Sequence, residues 1–128
     1  MMNSYQELKV WQMAMNVATE IYDWTKVFPK HEMYGLSSQL QRSAVSVPAN
    51  IAEGHGRSTT RDYLRHLSIA RGSLAELETE ILLAKQIGYG DMEKAAQLLE
   101  GVAEVSRMLR GLQKALQEKR RQQERPVH

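Results

Sequence analysis

The arginines of this sequence are spaced so that they could bind phosphate. Arg57, Arg61 and Arg65 follow a glycine-containing turn and lie at the start of a predicted helix. Guanidinium groups bind phosphate oxygens in pairs, and the exposed N–H groups at a helix start favour anions. We therefore take these three as candidate phosphate contacts, with Arg42 as a poorer candidate. The alternative is a solvated face, or pairing with carboxylates of another subunit.

Positive charge is also concentrated near the end of the sequence. Residues 117–128 carry Lys119, Arg120, Arg121 and Arg125 against Glu118 and Glu124. The net charge of the chain is only +2, which does not by itself require a nucleic-acid partner. These side chains could contact RNA without sequence preference, or they could form a solubilising charged end. Because the segment lacks an apolar anchor, we expect one domain at 4–116 followed by a flexible tail at 117–128.

Residue types that catalyse reactions or hold metals are absent or unsuitably spaced. The chain has no cysteine, no nucleophile elbow, no phosphate-binding loop and no dinucleotide motif. Metal-binding bundles use a glutamate followed three residues later by a histidine, and Glu76, Glu78 and Glu80 have none. The histidines, His31, His55, His66 and His128, show no paired ligand spacing. The sequence therefore predicts a protein that is not an enzyme and has no metal, cofactor or small-molecule substrate.

Four helices are predicted to position these side chains, and the first two have clear boundaries. The first is expected from Ser4, with Glu7 completing a capping box, to about residue 28, where Pro29 stops it. The second follows a link at 30–35 and continues to the glycines near residue 55. Pro48 lies inside its apolar pattern, so we expect a kink or a break there.

The third and fourth helices are bounded by capping residues. The third is predicted to begin at Thr59, with Asp62 as a capping partner, and to end at Gly88. The fourth opens at Asp91. Short links between successive helices favour antiparallel neighbours, so the predicted fold is an all-α, up-down-up-down four-helix bundle. No apolar run could span a membrane and no signal pattern is present, so we expect a cytoplasmic location.

The first helix is apolar on two roughly opposite faces. One stripe contains Leu8, Trp11, Met15, Ala18 and Tyr22, and the second contains Val10, Met13, Val17, Ile21, Trp24 and Phe28. A helix of this kind is buried on more than one side, either by other segments or at a subunit interface. In the third helix, Leu82 and Leu83 fall off the main apolar stripe. Our hypothesis for an oligomer interface comprises Val10, Met13, Val17, Ile21, Trp24, Leu82 and Leu83.

Five short motifs occur in a fixed order along residues 5 to about 116. They are YQELKVWQMA at 5–14, FP with YGLSSQLQR at 28–42, SVPANIAEGHGR at 46–57, GSLAELET at 72–79 and AKQIGY at 84–89. Together they resemble the four-helix-bundle proteins encoded within intervening sequences of bacterial 23S ribosomal RNA genes. This resemblance implies a homopentameric barrel of bundles. It also implies a distant similarity to the accessory protein of diversity-generating retroelements, which works with RNA and a reverse transcriptase.

The longest motif contains two polar residues, Asn50 and Glu53, between Pro48 and Gly54. They could bind a ligand or partner, but capping of backbone groups freed by Pro48 or by the following turn is the favoured interpretation. His55 stands where relatives often carry an aromatic residue, which weakens a stacking role for this turn.

The leading hypothesis is a non-enzymatic homo-oligomeric scaffold or adaptor, pentameric by resemblance, that binds RNA or a nucleic-acid-associated protein. The alternative is a protein–protein interaction module with no nucleic-acid role.

Overall fold

The computed structural model describes residues 4–124, and within that range the chain forms four α-helices and no strand. The helices are α1 (Lys9–Thr25), α2 (Leu36–His55), α3 (Thr60–Ile87) and α4 (Met92–Gln123). Two short 3-10 helices, Tyr5–Glu7 and Lys30–Glu32, precede α1 and α2. The prediction of an all-α chain with four helices is confirmed. Arg125 and His128, which were considered from the sequence, lie outside the described residues.

The predicted start of the first helix is wrong by five residues. Ser4 caps only the short 3-10 turn, where its Oγ accepts a hydrogen bond from the Gln6 N–H at 3.1 Å. Leu8 is then extended, and α1 begins at Lys9. The side chain of Gln12 explains this geometry, since its amide donates to the Gln6 carbonyl at 2.9 Å and holds the turn beside α1.

The end of α1 and the following link are fixed by aromatic packing. The helix ends at Thr25, and the buried Phe28 packs edge-on against Trp24 at 4.9 Å between ring centres. Tyr89, just after α3, lies 5.4 Å from the Phe28 ring and donates its hydroxyl to Glu32 at 3.0 Å. Hydrogen bonds from the Leu36 N–H and then from Tyr89 lower the pKa of the Glu32 carboxyl. The link is therefore tied both to α2 and to the chain that follows α3.

Pro48 does not break α2, so that part of the prediction is wrong. The helix is continuous from Leu36 to His55, with Pro48 buried inside it. Proline lacks an N–H, so Ala44 loses one helical hydrogen-bond donor for its carbonyl. Close packing on α3 offsets this loss, and the hydroxyl oxygens of Ser46 and Ser73 lie only 2.7 Å apart. Tertiary packing overrides the local preference here.

The capping residues of α3 and α4 are confirmed. Thr59 accepts a hydrogen bond from the Asp62 N–H at 3.1 Å, and Asp91 accepts one from the Lys94 N–H at 3.1 Å. Gly88 ends α3 with a left-handed φ of 95°, which a residue with a side chain rarely adopts. These three residues fix where α3 begins and ends and where α4 begins.

The core lies where the four helices meet. It contains one apolar face of each of α2, α3 and α4, with Leu40, Ile51, Leu77, Ile81 and Leu109 fully buried. The first half of α3 lies beside the second half of α4, since Gln113 contacts both Ser68 and Arg71. Likewise, the end of α2 lies beside the start of α3, where Gly54 meets Tyr63.

The segment after residue 116, for which a flexible tail is predicted, is helical as far as residue 123. Helix α4 continues to Gln123, and Glu124 is its C-cap. Ion pairs within the helix join Arg120 to Glu124 and Arg121 to Glu118, and such i,i+3 and i,i+4 pairs support a solvated helix. Residues 117–123 therefore extend α4, although they add no buried apolar side chain.

Candidate nucleic-acid-binding surface

Arg61 and Arg65 are exposed on successive turns at the start of α3. Residues spaced in this way have Cβ atoms about 5–6 Å apart on one helix face. Ion pairs among residues 4–124 involve other arginines, and no carboxylate in that range lies within 4.0 Å of Arg61 or Arg65. The two guanidinium groups are therefore available to an external anion.

Arg57 has a partner inside the chain, unlike Arg61 and Arg65. One of its guanidinium nitrogens donates to the Glu53 carboxylate at 2.7 Å, and the two residues are one helical turn apart in the sequence. Both side chains are about half exposed, so an external phosphate would compete with Glu53 for this guanidinium. Arg57 is consequently a weaker candidate than the sequence suggested.

Asn50 and Glu53 belong to a polar cluster that joins α2 to α3. The Asn50 amide donates to the Ser46 carbonyl at 2.9 Å, and its oxygen lies 3.2 Å from Nδ1 of the buried His66. We assign the proton of His66 to Nδ1, because the Asn50 oxygen can only accept. Asn50 does not satisfy the Ala44 carbonyl that Pro48 leaves without a donor, since its side chain bonds Ser46 instead. Its role in this geometry is to connect the two helices.

Gly54 allows α2 and α3 to approach closely beside this cluster. A Cβ atom added there would lie 2.8 Å from the His66 Cβ and 3.0 Å from Cδ1 of the Tyr63 ring. Both neighbours are attached rigidly to α3, so neither can move aside easily. The glycine is therefore required by packing rather than by an unusual backbone angle.

Arg42 lies in a groove between α2 and α3 that is poorly suited to anions. The groove holds about 350 Å³ and is lined by Gln39, Arg42, Ser43, Ser46, Ser73, Glu76 and Glu80. Burial raises the pKa of the Glu80 carboxyl, a hydrogen bond with Ser43 opposes the rise, and the charge of Glu76 adds to it. Two carboxylates beside one guanidinium repel phosphate, which argues against Arg42 as a phosphate contact.

A second groove, between α3 and α4, carries three arginines. It holds about 330 Å³, and its basic residues are Arg71, Arg107 and Arg110. None of the three was taken from the sequence as a candidate contact, and Arg107 and Arg110 lie on a different helix from the predicted ones. The signal that could have found them is their spacing of three residues on α4, which places both on one helix face.

The predicted oligomer interface divides into buried and exposed residues. Four of its residues belong to the core of the single chain, where each is at most 6% exposed: Val10, Val17, Ile21 and Trp24. Their assignment to an oligomer interface is therefore corrected. Met13 is partly buried against that core. The reason is that α1 turns this stripe inward and leaves Met15 and Tyr22, from the other stripe, 40% and 46% exposed.

Leu82 and Leu83 are the predicted interface residues that remain on the surface. Their exposed fractions are 47% and 46%, and the neighbouring Ile87 is 50% exposed. They lie in the second half of α3, whereas Arg61 and Arg65 lie in its first turns. The helix therefore carries positive charge at one end and exposed apolar side chains at the other.

No group of three or more acidic or histidine residues is arranged to hold a metal ion within residues 4–124. Glu76 and Glu80 share the groove of Arg42, whereas His31 and His66 lie elsewhere in the bundle. In the same range, no helix is long and apolar enough to cross a membrane.

Fold and surface together define a small all-α bundle whose third helix carries arginines with no carboxylate partner among residues 4–124. The sequence from residue 6 to residue 111 matches the family of 23S rRNA-intervening sequence proteins, and the chain belongs to that family. No curated protein matches the chain.

The fold is also that of a solved structure. This relative is a protein of unknown function from the S23 ribosomal protein family of Bacteroides thetaiotaomicron VPI-5482. It superposes with a TM-score of 0.74 over 82% of this chain and 98% of its own, at 23% sequence identity. At that identity the similarity establishes the shared fold.

Proposed function

We propose that this protein is a non-enzymatic, homo-oligomeric scaffold that binds RNA or a ribonucleoprotein through exposed arginines. The observation that carries the proposal is the pair Arg61 and Arg65, which are exposed and have no carboxylate partner within residues 4–124. The family description, which refers to 23S rRNA intervening sequences, supports an RNA partner. The cytoplasm is the proposed location, because such an RNA is found there.

Self-association is proposed through the exposed apolar side of α3. Leu82 and Leu83 are each almost half exposed, and complete burial of a leucine stabilises by roughly 1.5–3 kcal/mol relative to full exposure. Five copies is the number that the family resemblance implies. A ring would repeat the same weak basic site, so that several modest contacts act together on one RNA molecule.

The first experiment measures the solution mass by light scattering after size exclusion, at low and high salt, together with the ratio of absorbance at nucleic-acid and protein wavelengths. We expect a multimer that survives high salt and that releases co-purified RNA there. A monomer at both salt concentrations would rule out the avidity mechanism. A multimer that retains a specific protein after nuclease treatment would instead favour a protein-interaction module.

The second experiment tests the arginines. Arg61→Glu with Arg65→Glu should weaken binding of a labelled RNA strand in a filter assay and flatten its salt dependence, because phosphate contacts are lost. The matched control is Lys26→Glu with Lys30→Glu, which changes the net charge equally but lies in the link whose Phe28 packs against Tyr89, just after the end of α3. Equal loss in both variants would indicate a general charge effect and would remove the assignment of Arg61 and Arg65.

A further inference from the structure

We infer that the groove between α3 and α4 binds the phosphodiester backbone of a single RNA strand, an inference that rests on the proposed RNA-binding function. The residues that line this α3–α4 groove are Arg71, Leu74, Ala75, Glu78, Val102, Ala103, Ser106, Arg107 and Arg110. None of them belongs to the arginine-containing turn that the sequence indicated as the contact site.

The shape of the groove follows from small side chains on facing helices. Ala75 on α3 and Ala103 on α4 leave space between the helices, above the buried Leu74 and Val102. The floor is therefore apolar, while the rims carry guanidinium groups and the Ser106 hydroxyl. A ribose or base can lie over the apolar floor while the phosphates face the rims.

Arg71 is held at the rim by a buried amide. One of its guanidinium nitrogens donates to the Gln113 oxygen at 3.2 Å, and the Gln113 amide nitrogen donates to the Ser68 hydroxyl at 3.3 Å. Gln113 is only 7% exposed, so its position is fixed by the surrounding helices. Arg71 consequently loses less side-chain freedom on binding than an unrestrained surface arginine would.

The charge of the groove favours an anion. Three arginines and one glutamate, Glu78, line it, which leaves an excess of positive charge. Arg107 is paired with Glu104, but no carboxylate within residues 4–124 lies in ion-pair range of Arg71 or Arg110. Guanidinium groups on both rims can each donate two hydrogen bonds to phosphate oxygens.

An extended strand fits this surface better than a single phosphate does. The groove lining runs from Arg71 to Glu78 on α3, about 10 Å along the helix axis. On α4, the exposed Lys114 lies one turn beyond Arg110, on the same helix face. Lys114 thus extends the positive charge of the groove along α4.

The test compares Arg71→Gln with Arg110→Gln, made together, against the matched control Lys26→Gln with Lys30→Gln. Both pairs remove two charges, but the exposed control lysines lie in the link between α1 and α2 and do not line the groove. The probe is a fluorescein-labelled single-stranded RNA of mixed sequence, and the readout is its anisotropy from low to moderate salt. Light scattering on each variant checks that the assembly is unchanged.

We expect the groove variant to bind at least about tenfold more weakly, because it loses the charge-assisted hydrogen bonds of two guanidinium groups to phosphate oxygens. Its slope of log affinity against log salt should fall by about 1.4, since each single-strand phosphate contact contributes about 0.7. The control should keep the wild-type slope.

Three results would overturn the inference. If the groove variant keeps the wild-type slope while the Arg61 and Arg65 variant loses affinity, the proposed function stands and the groove is not the site. If the groove variant loses RNA binding only together with its assembly, the groove is an interface between copies. If the wild-type protein binds no RNA at low salt, the proposed function itself fails.

Discussion

Replacing Gly54 by alanine should pull α2 and α3 apart, although alanine is the better helix former. The added Cβ would lie 2.8 Å from the His66 Cβ and 3.2 Å from the Tyr63 carbonyl oxygen, well inside van der Waals contact. Overpacking of this kind costs about 1–3 kcal/mol, against a gain in helix propensity of at most about 1 kcal/mol. The free energy of unfolding should therefore fall by up to about 2 kcal/mol.

Gly72 provides a matched control in the middle of α3. A Cβ added there has no heavy atom within 4 Å, so Gly72→Ala should raise the free energy of unfolding by about 0.5–1 kcal/mol. Urea unfolding followed by circular dichroism, at one protein concentration for all three proteins, measures both changes. If Gly54→Ala is as stable as Gly72→Ala, the close approach of α2 and α3 has been misjudged.

Two further substitutions test the helix start and the acidic groove. Asp91→Ala removes the side chain that accepts a hydrogen bond from the Lys94 N–H, so the free energy of unfolding measured by thermal unfolding should fall by about 1 kcal/mol. Asp91→Asn keeps an oxygen that can accept this bond and should stay near the wild type. An equal loss in both variants would exclude capping as the cause. Glu80 has a raised pKa in the folded chain, so its stabilising effect is complete below the ordinary glutamate pKa and is lost as the pH rises through the folded pKa. The urea midpoint of Glu80→Gln should therefore lie above that of the wild type at pH 7, and the difference should be smaller at pH 4. A larger difference at pH 4 would contradict the burial of the Glu80 carboxyl.

Helix boundaries that depend on local chemistry could be predicted from the sequence. Thr59, Gly88 and Asp91 act on backbone groups within a few residues, and all three have the expected roles. The capping box at Ser4 failed because a contact between the side chain of Gln12 and the chain before α1 favours a separate turn. That contact joins residues six positions apart and leaves no periodic signal.

The orientation of α1 could not be predicted, because both of its stripes are apolar. Periodicity shows that two faces exist but does not say which one meets α2 and α4. In the folded chain Ile21 is fully buried and Tyr22 is 46% exposed, a choice made by the shapes of the neighbouring helices. Residues from the inward stripe were consequently assigned to an interface.

The candidate site was predictable in part. Exposure of Arg61 and Arg65 followed from the apolar stripe of α3, which occupies the opposite side of the helix. Pairing of Arg57 with Glu53 was also visible as an i,i+4 spacing, although it was not used. The α3–α4 groove was not predictable, because Arg71 and Arg110 are 39 positions apart and meet only when the helices pack.

The single uninterrupted helix α3 also restricts how the length of this sequence can vary. Its basic start and its exposed leucines are joined by regular helix, so one inserted residue near Leu74 would rotate one end by about 100° relative to the other. The same insertion would turn Leu77 and Ile81 out of the core. Insertions and deletions among related sequences should therefore fall in the links at 26–35 and 56–59, and the number of residues between Arg65 and Leu82 should stay constant.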